Sequence, residues 1–527
     1  MLYLFVLAPV LIACSLLLLP QRIVRWTSLV VYIGMFGYSL HLFSLTRFSG
    51  QVLSVTTGGP GILGITLYCD LIASIYLVLI SFLFVCFHFY SAIRDRALKL
   101  FSVFLTILQT LLILIVLSRD LFNIFVALEV STIVCSILIM FKKESRSIYD
   151  GLFYLMTNTL GMFFILMGIG FLYRQYGVLD ITELTRLIAE TPGKSLLLPY
   201  CFIMTGVCMK CALFPLHIWL AHAHGTPGAP TVVSAVLSGL NVKSSLFLFI
   251  RMRAMFLPAI DLDAFFLFLG IITAFAGIIM AIRQKDIKLI LAYHTVSQMG
   301  LIVFGLSLDN AFATAGALLH IINHALFKSL LFLASGILIS KYGTRDVRKI
   351  RGVLRSFPVV GFAMISGILG ITGAPLFNGS ISKYFMQSGA ERFWIEGLFI
   401  LINFGTILSF VKFGQVIFGT PDRVLSPNDL SSNAILLLLG VLCLLTGVLG
   451  APFLYLLFGE HFRIDLSEYL FKVALWCVSF VGARWLYLRH LRGEARSGRF
   501  GSDVSFNQMG MRTVGFFLIL FLAGRLL

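Results

Sequence analysis

Charge is what this sequence has least of. Asp, Glu, Lys and Arg together make up 12% of its 527 residues, against about 25% in a soluble domain. That excludes an ordinary soluble enzyme. Apolar residues reach 59%, and the mean hydropathy of +0.99 is spread along the whole chain, so the solvent of this polypeptide is largely lipid. Acid is scarcer than base, 23 residues against 40 for a net charge of +17. In a soluble protein that excess suggests nucleic acid. Here the basic residues punctuate apolar runs, so they read as topology signals and nucleic acid is not an expected partner.

Cofactor signatures are missing as well. Nine cysteines lie almost entirely inside apolar segments, as small buried hydrophobes do. Only Cys208-Met-Lys-Cys211 has metal-like spacing, and a zinc or iron–sulfur site needs about four ligands. With no glycine fingerprint for a dinucleotide and no haem attachment, neither a redox cofactor nor a bound metal is expected. The competing reading is a membrane metalloenzyme using His217, His222 and His224. No acidic general base accompanies those histidines, and a metal assay separates the two readings. Alternation of the outer-membrane barrel type is absent. The longest polar interludes, 174–194 and 489–511, are too short for a soluble catalytic domain. Leu2 to Leu19 has no basic leader and contains Leu11-Ile-Ala-Cys14, only a passing likeness to a lipoprotein cleavage box. It reads as a first membrane helix.

What the chain does have is apolar runs of spanning length: 2–19, 27–46, 68–90, 99–118, 120–141, 150–173, 195–220, 231–250, 259–282, 287–306, 311–340, 356–390, 393–418, 433–458, 469–488 and 512–526. The expected fold is an all-α polytopic membrane protein of about 14–16 transmembrane helices. Lys and Arg in the loops after odd-numbered helices, up to the eleventh, number 17, against 8 after even-numbered ones to the twelfth. This bias predicts cytoplasmic odd loops and an outside N-terminus. Arg484, Arg489, Arg492, Arg496 and Arg499 fall on the same side.

Ionisable residues sit within these runs, where each costs at least ~2.5–3.5 kcal/mol and needs a partner or a hydrated path. They are Glu129, Lys210, Lys243, His294, His320, His324, Lys328 and Lys383. His320, His324 and Lys328, at i, i+4 and i+8, form a ladder of proton-capable groups on one helical face over about 12 Å. Burial disfavours charge on Glu129 and on Lys210, while pairing holds both charged. Separating them therefore favours proton release from the lysine. A static ion pair that fixes helix register is the alternative. Two runs carry backbone breakers beside a lysine: Ala212-Leu-Phe-Pro215 near Lys210, and Gly370-Ile-Thr-Gly-Ala-Pro-Leu-Phe-Asn-Gly379 near Lys383. In transporters such interruptions, repeated in two halves, line a polar cavity. Runs four to eight and nine to thirteen then form two inverted five-helix repeats, 99–252 and 253–418, between N-terminal helices 1–98 and C-terminal helices 419–527.

Several segments resemble the antiporter-like membrane subunits. These are Leu121-Phe-Asn-Ile-Phe-Val-Ala-Leu-Glu129, Lys210-Cys-Ala-Leu-Phe-Pro-Leu-His-Ile-Trp-Leu220 into Pro230-Thr-Val-Val-Ser-Ala235, and Asp286-Ile-Lys-Leu-Ile-Leu-Ala-Tyr293 with Ser297-Gln-Met-Gly300. His320-Ile-Ile-Asn-His-Ala-Leu-Phe-Lys328 and Pro375-Leu-Phe-Asn-Gly-Ser-Ile-Ser-Lys383 complete the set. The family includes proton-pumping subunits of respiratory complex I, subunits of Mrp cation/proton antiporters and membrane arms of energy-converting hydrogenases. Gly343-Thr-Arg-Asp346 and the glycine-rich run Gly58 to Gly64 look more like Mrp D-type and hydrogenase-associated members.

The resemblance implies an input pair Glu129 and Lys210, a central relay of Lys243 with the histidine–lysine trio, and an exit lysine, Lys383. It also implies partner subunits in a respiratory, hydrogenase or Mrp-type complex of a bacterial or archaeal cytoplasmic membrane, with H+ and also Na+ as candidate cargo. Two positions depart from the pattern. His294 replaces a typically small polar residue and adds a relay position. Ala221-His-Ala-His224 stands where the family usually has Pro-Asp-Ala, which puts the usual loop acid in question. The alternative function is a self-sufficient ion or small-solute transporter, including an inorganic-carbon uptake component.

Overall fold

The computed structural model describes residues 2–58, 64–94, 99–191, 195–421, 426, 428–491 and 504–526. The run between Gly58 and Gly64, Arg96, Lys194, Arg492, Arg496, Arg499 and the side chain of Arg94 lie outside the described residues.

In chain order the elements begin with α1 (Leu2–Leu16), α2 (Gln21–Phe48), β1 (Leu53–Thr57), β2 (Ile65–Cys69), α3 (Leu71–Arg94), α4 (Lys99–Leu117), α5 (Leu121–Ile139) and α6 (Ser145–Tyr176). They continue with α7 (Ile181–Glu190), α8 (Leu197–Lys210), α9 (Ile218–Gly225), α10 (Thr231–Val236), α11 (Val242–Phe256), α12 (Asp263–Arg283), α13 (Ile287–Leu306) and α14 (Ala311–Tyr342). The last are α15 (Val353–Ser356), α16 (Pro358–Thr372), α17 (Asn378–Ser388), α18 (Phe393–Phe413), α19 (Leu430–Val448), α20 (Gly450–Phe458), α21 (Leu466–Leu486) and α22 (Phe506–Leu526). Among the described residues, 13 helical segments are long and apolar enough to cross a membrane, and α1, α8 and α16 are shorter apolar helices. Together they coincide with the sixteen apolar runs. The chain is an all-α polytopic membrane protein, with one two-stranded hairpin among the described residues.

That hairpin corrects the expectation of a helix from residue 68. Ile65-Thr-Leu-Tyr-Cys69 alternates β-branched and aromatic residues with Leu67 and Cys69 turned inward, a strand pattern. It pairs antiparallel with β1, Leu53 opposite Cys69. The helix starts only at Leu71, after Asp70, whose carboxylate accepts the amide of Ala73 at 2.9 Å.

Caps set the other boundaries that matter. Asp120 accepts the amide of Asn123 at the start of α5, and Asp286 accepts those of Lys288 and Leu289 at the start of α13. The 32-residue helices α6 and α14 both end on a left-handed glycine, Gly177 at φ 71° and Gly343 at φ 67°. Each is followed by the same backbone contact. Leu121 and Ile181 donate to the carbonyls of Leu179 and Arg119, bridging Asp120 and Asp180, while Ile287 and Val347 donate to those of Arg345 and Lys285, bridging Asp286 and Asp346. Asp120 and Asp286, Gly177 and Gly343, and Asp180 and Asp346 are each 166 residues apart.

Both expected broken helices are broken. The first stops at Lys210, turns through Ala212 at φ 54° and Pro215, and resumes as α9. The second stops at Thr372, turns through Gly373 at φ 73° and Leu376 at φ 69°, and resumes as α17. A helix that stops within the membrane leaves carbonyls that side chains must satisfy. The indole of Trp219 donates to Met209 at 2.9 Å, the Lys383 amine to Ile371 at 2.7 Å and the indole of Trp476 to Thr372 at 3.0 Å. Around these breaks the core is centred on α14, whose apolar window is entirely buried, and on α13, at 94%. Small residues let α12 approach α13: a Cβ on Gly270 would lie 2.7 Å from the carbonyl oxygen of Gly300.

Candidate functional site

Lys210, the last residue of α8, is buried, and its Nζ donates to the hydroxyl of Thr132 on α5 at 2.5 Å. Glu129 stands one turn from Thr132 on the same helix, where one carboxylate oxygen accepts from Thr159 at 2.9 Å and the other has no partner among the described residues. No ion pair joins the two charges among the described residues. The expected direct pair is therefore a pair spaced by Thr132. Helix register decides this: i and i+3 project from one face of α5, but the end of α8 meets that face at the level of Thr132.

Lys243 and Lys328 are buried at the centre. A π-helical turn, Leu237–Asn241, widens the backbone just before Lys243, whose Nζ donates to the carbonyl of Ser238. The Ser238 hydroxyl meets that of Thr295 at 2.7 Å. Thr295 also donates to the carbonyl of Leu291, which accepts the Nζ of Lys328 at 2.7 Å. A carbonyl accepts but has no proton to give, so these bonds hold the two amines in place. Passing a proton between them needs a group that both donates and accepts.

Imidazoles can do both, and two of them stand on the α14 ladder beside Lys328. His320, His324 and Lys328 are all buried on one face. His320 spans two helices, Nδ1 to Ser382 at 2.8 Å and Nε2 to Gln298 at 2.9 Å. His324 lies one turn from each of its neighbours, its ring centroid 6.3 Å from that of His320, and among the described residues neither of its ring nitrogens has a hydrogen-bond partner. Ser382 precedes Lys383, whose Nζ donates to Ile371 and to Asn403 Oδ1, both at 2.7 Å. His294 makes its hydrogen bond to another helix, with Nε2 at 2.7 Å from Ser409 and its ring against Phe410.

Sequence reasoning missed three groups. Asp150 on α6 is buried and meets His222 Nδ1 at 2.9 Å and Arg146 at 3.0 Å, so an acid does stand beside the altered loop, supplied by another helix. Lys412, a lone lysine in Ser409-Phe-Val-Lys-Phe413, is buried and donates to the carbonyls of Ile282 and Gln284. Glu468 and Lys472 form an ion pair of 2.5 Å on α21. The i, i+4 spacing of that last pair was the available signal. The histidines of the metalloenzyme reading take different neighbours: His217 meets Met280, His222 meets Asp150 and His224 stacks on Phe332.

Residues 118–409 match the family described as NADH:quinone oxidoreductase/Mrp antiporter, transmembrane. The chain is 31% identical over 406 residues to a Na(+)/H(+) antiporter subunit of Alkalihalophilus pseudofirmus, covering 73% of this chain and 50% of that protein. It is 33% identical over 308 residues to NADH-quinone oxidoreductase subunit N of Desulforudis audaxviator, 56% of this chain and 60% of that one. It thus spans about half to three-fifths of the length of these relatives. Its fold superposes on a chain of the Mrp complex from a Dietzia species with a TM-score of 0.81 at 21% identity, covering 90% of this chain and 98% of the other. A chain of the membrane-bound sulfane sulfur reductase, an archaeal respiratory membrane complex, gives 0.80 at 20% identity, over 91% and 99%. With more than half of its length matched, the chain belongs to the NADH:quinone oxidoreductase/Mrp antiporter transmembrane family.

Proposed function

We propose that the chain is a proton-translocating subunit of a multisubunit membrane complex, seated in a bacterial or archaeal cytoplasmic membrane with its N-terminus outside. Protons pass from the Glu129 and Lys210 station to Lys243 and Lys328, then through His324 and His320 to Lys383. His294 is a side position on the Ser409 contact. Residues 99–252 and 253–418 act as two inverted five-helix units in series, flanked by 1–98 and 419–527. The constant 166-residue spacing between matching caps and bridges supports that division.

One observation carries the reading: His324, fully buried, has no partner for either ring nitrogen among the described residues and stands one turn from both His320 and Lys328. A buried polar group is normally bonded. An imidazole kept open at both nitrogens can accept a proton on one side while giving one up on the other. Similarity to a Na(+)/H(+) antiporter component favours a second reading, in which proton movement is exchanged for Na+.

The test is proton uptake by proteoliposomes holding the complete complex. His324→Phe fills the ring space without a titratable nitrogen and should slow uptake about 100-fold, the low end of what a positioned proton-transferring group contributes. Uptake at the parental rate would contradict the reading. Uptake by the purified chain alone would favour a self-sufficient transporter.

A further inference from the structure

Helix α21 hardly belongs to the core: only 6% of its apolar window is buried. Yet it turns a row of polar side chains inward. Glu468, Lys472 and Trp476 follow at i, i+4 and i+8, one face of the helix. Lys472 Nζ lies 2.5 Å from Glu468 Oε1 and 2.6 Å from Ser388 Oγ, and 4.5 Å from the centre of the Tyr384 ring. Glu468 accepts from the Tyr384 hydroxyl at 3.1 Å and from Ser388 at 2.7 Å. The Ser380 hydroxyl meets that of Tyr469 at 3.0 Å. These bonds tie α21 to α17, the helix of Lys383.

Between them is a cavity of about 40 Å³, lined by Lys383, Asn403, Tyr384, Gln387, Tyr469 and Lys472. A site of that size and polarity is large enough for water, which needs roughly 10–15 Å³. Gly373 makes room for the lysine at its wall, because a Cβ there would stand 2.9 Å from Lys383 Cδ, and its φ of 73° disfavours a side chain in any case. Exposure rises across the cavity. Lys383 is buried, the Lys472 side chain is 10% exposed and that of Glu468 is 41% exposed. Glu468 is in the first turn of α21, so it opens to the side on which α17 ends. Two further acids stand near this rim: Glu396 is bonded to Gln387 at 2.8 Å, and Asp465, whose amide donates to the Tyr384 hydroxyl, accepts the amides of Ser467 and Glu468 with its carboxylate. A cavity walled by two lysine amines disfavours a metal cation and suits a proton passed through water.

We infer that Glu468 and Lys472 are the release station of the pathway, taking the proton from Lys383 across this cavity and delivering it to the aqueous face. The inference rests on the relay reading above. The ammonium of Lys383 gives a proton to cavity water, the water gives one to Lys472 as Lys472 passes its own to the Glu468 carboxylate, and neutral Glu468 then releases it. Lys383 ends uncharged, Lys472 unchanged and Glu468 ionised again.

The experiment is proton transport by the complete complex in proteoliposomes, with protein level measured in parallel. Glu468→Gln keeps the shape of the side chain and one of its two acceptor oxygens but cannot take the proton, so transport should fall about 100-fold. Lys472→Met should fall similarly, and Lys472→Arg should recover part of the loss. The pH dependence of the residual rate should change on the release side only, which loss of a purely structural clamp would not produce. Parental rates in Glu468→Gln and Lys472→Met, with Lys383→Met inactive, would overturn the release station and leave the relay standing. A parental rate in Lys383→Met would remove the relay and the release station together.

Discussion

Lys328 and Thr295 share one acceptor, the carbonyl of Leu291, at 2.7 and 3.1 Å. The consequence is that Lys328 is held by α13, with no acid bonded to it among the described residues. If it is removed, Leu291 keeps the threonine donor and no buried acceptor is orphaned. Lys328→Met should therefore insert and accumulate like the parent, since replacing a buried charge with an apolar side chain of similar volume often costs little stability. Transport should fall about 100-fold. Quantitative blotting of membranes alongside proton uptake checks both halves, and a collapse in protein level would contradict the first.

Thr132 is the group that holds Lys210. Thr132→Val keeps the volume and removes the hydroxyl, leaving a buried amine short of a partner at a cost of about 1–3 kcal/mol. Thermal unfolding in detergent should begin at lower temperature, and transport should drop. Thr132→Ser should restore both. Unchanged unfolding in Thr132→Val would mean that Lys210 is satisfied by Glu129 after all.

The two matching backbone bridges are separated by three membrane crossings: the broken helix of α8 and α9, the span of α10 and α11, and α12. They should open to opposite faces, so a cysteine placed at Asp180 should be labelled from outside and one at Asp346 from the cytoplasm. The loop at 142–149 should also be cytoplasmic. Labelling of position 145 from outside in intact cells would reverse the orientation.

Much of this is legible in the sequence, and the rest is not, for identifiable reasons. Spanning length and the Pro and Gly breaks are local, so the sixteen runs and both interruptions can be read directly. Lys383 and the α14 ladder stand out because a charge inside an apolar run is conspicuous by itself. Partnerships are another matter. Opposite charge suggests that Lys210 touches Glu129, but the height at which α8 meets α5 is set by packing, and it selects Thr132. Asp150 stands near the start of α6, where an acid looks like an ordinary interfacial residue, and only the fold brings His222 to it. Glu468 and Lys472 lie more than eighty residues beyond Tyr384 in the chain, a contact that no local pattern encodes. The hairpin is hidden because Leu67 and Cys69 are as apolar as a helix start.

No ligand set for a metal is expected to assemble in this chain. Among the described residues, no group of three or more His, Cys, Asp or Glu gathers in a way that could hold an ion. Metal analysis and absorbance of the purified chain should give well under one equivalent of iron, zinc or flavin. A value near one equivalent would revive the reading built on His217, His222 and His224.

The most direct measurement takes the two lysines at the two helix breaks, Lys210 and Lys383, and replaces each with Met in the complete complex. Proton uptake into proteoliposomes is followed together with the coupled reaction, with Lys142→Gln as an exposed-loop control. A serial pathway predicts that either replacement alone stops transport while protein level holds and the control pumps normally. Near-normal pumping in either Lys210→Met or Lys383→Met, at unchanged protein level, would contradict the serial account.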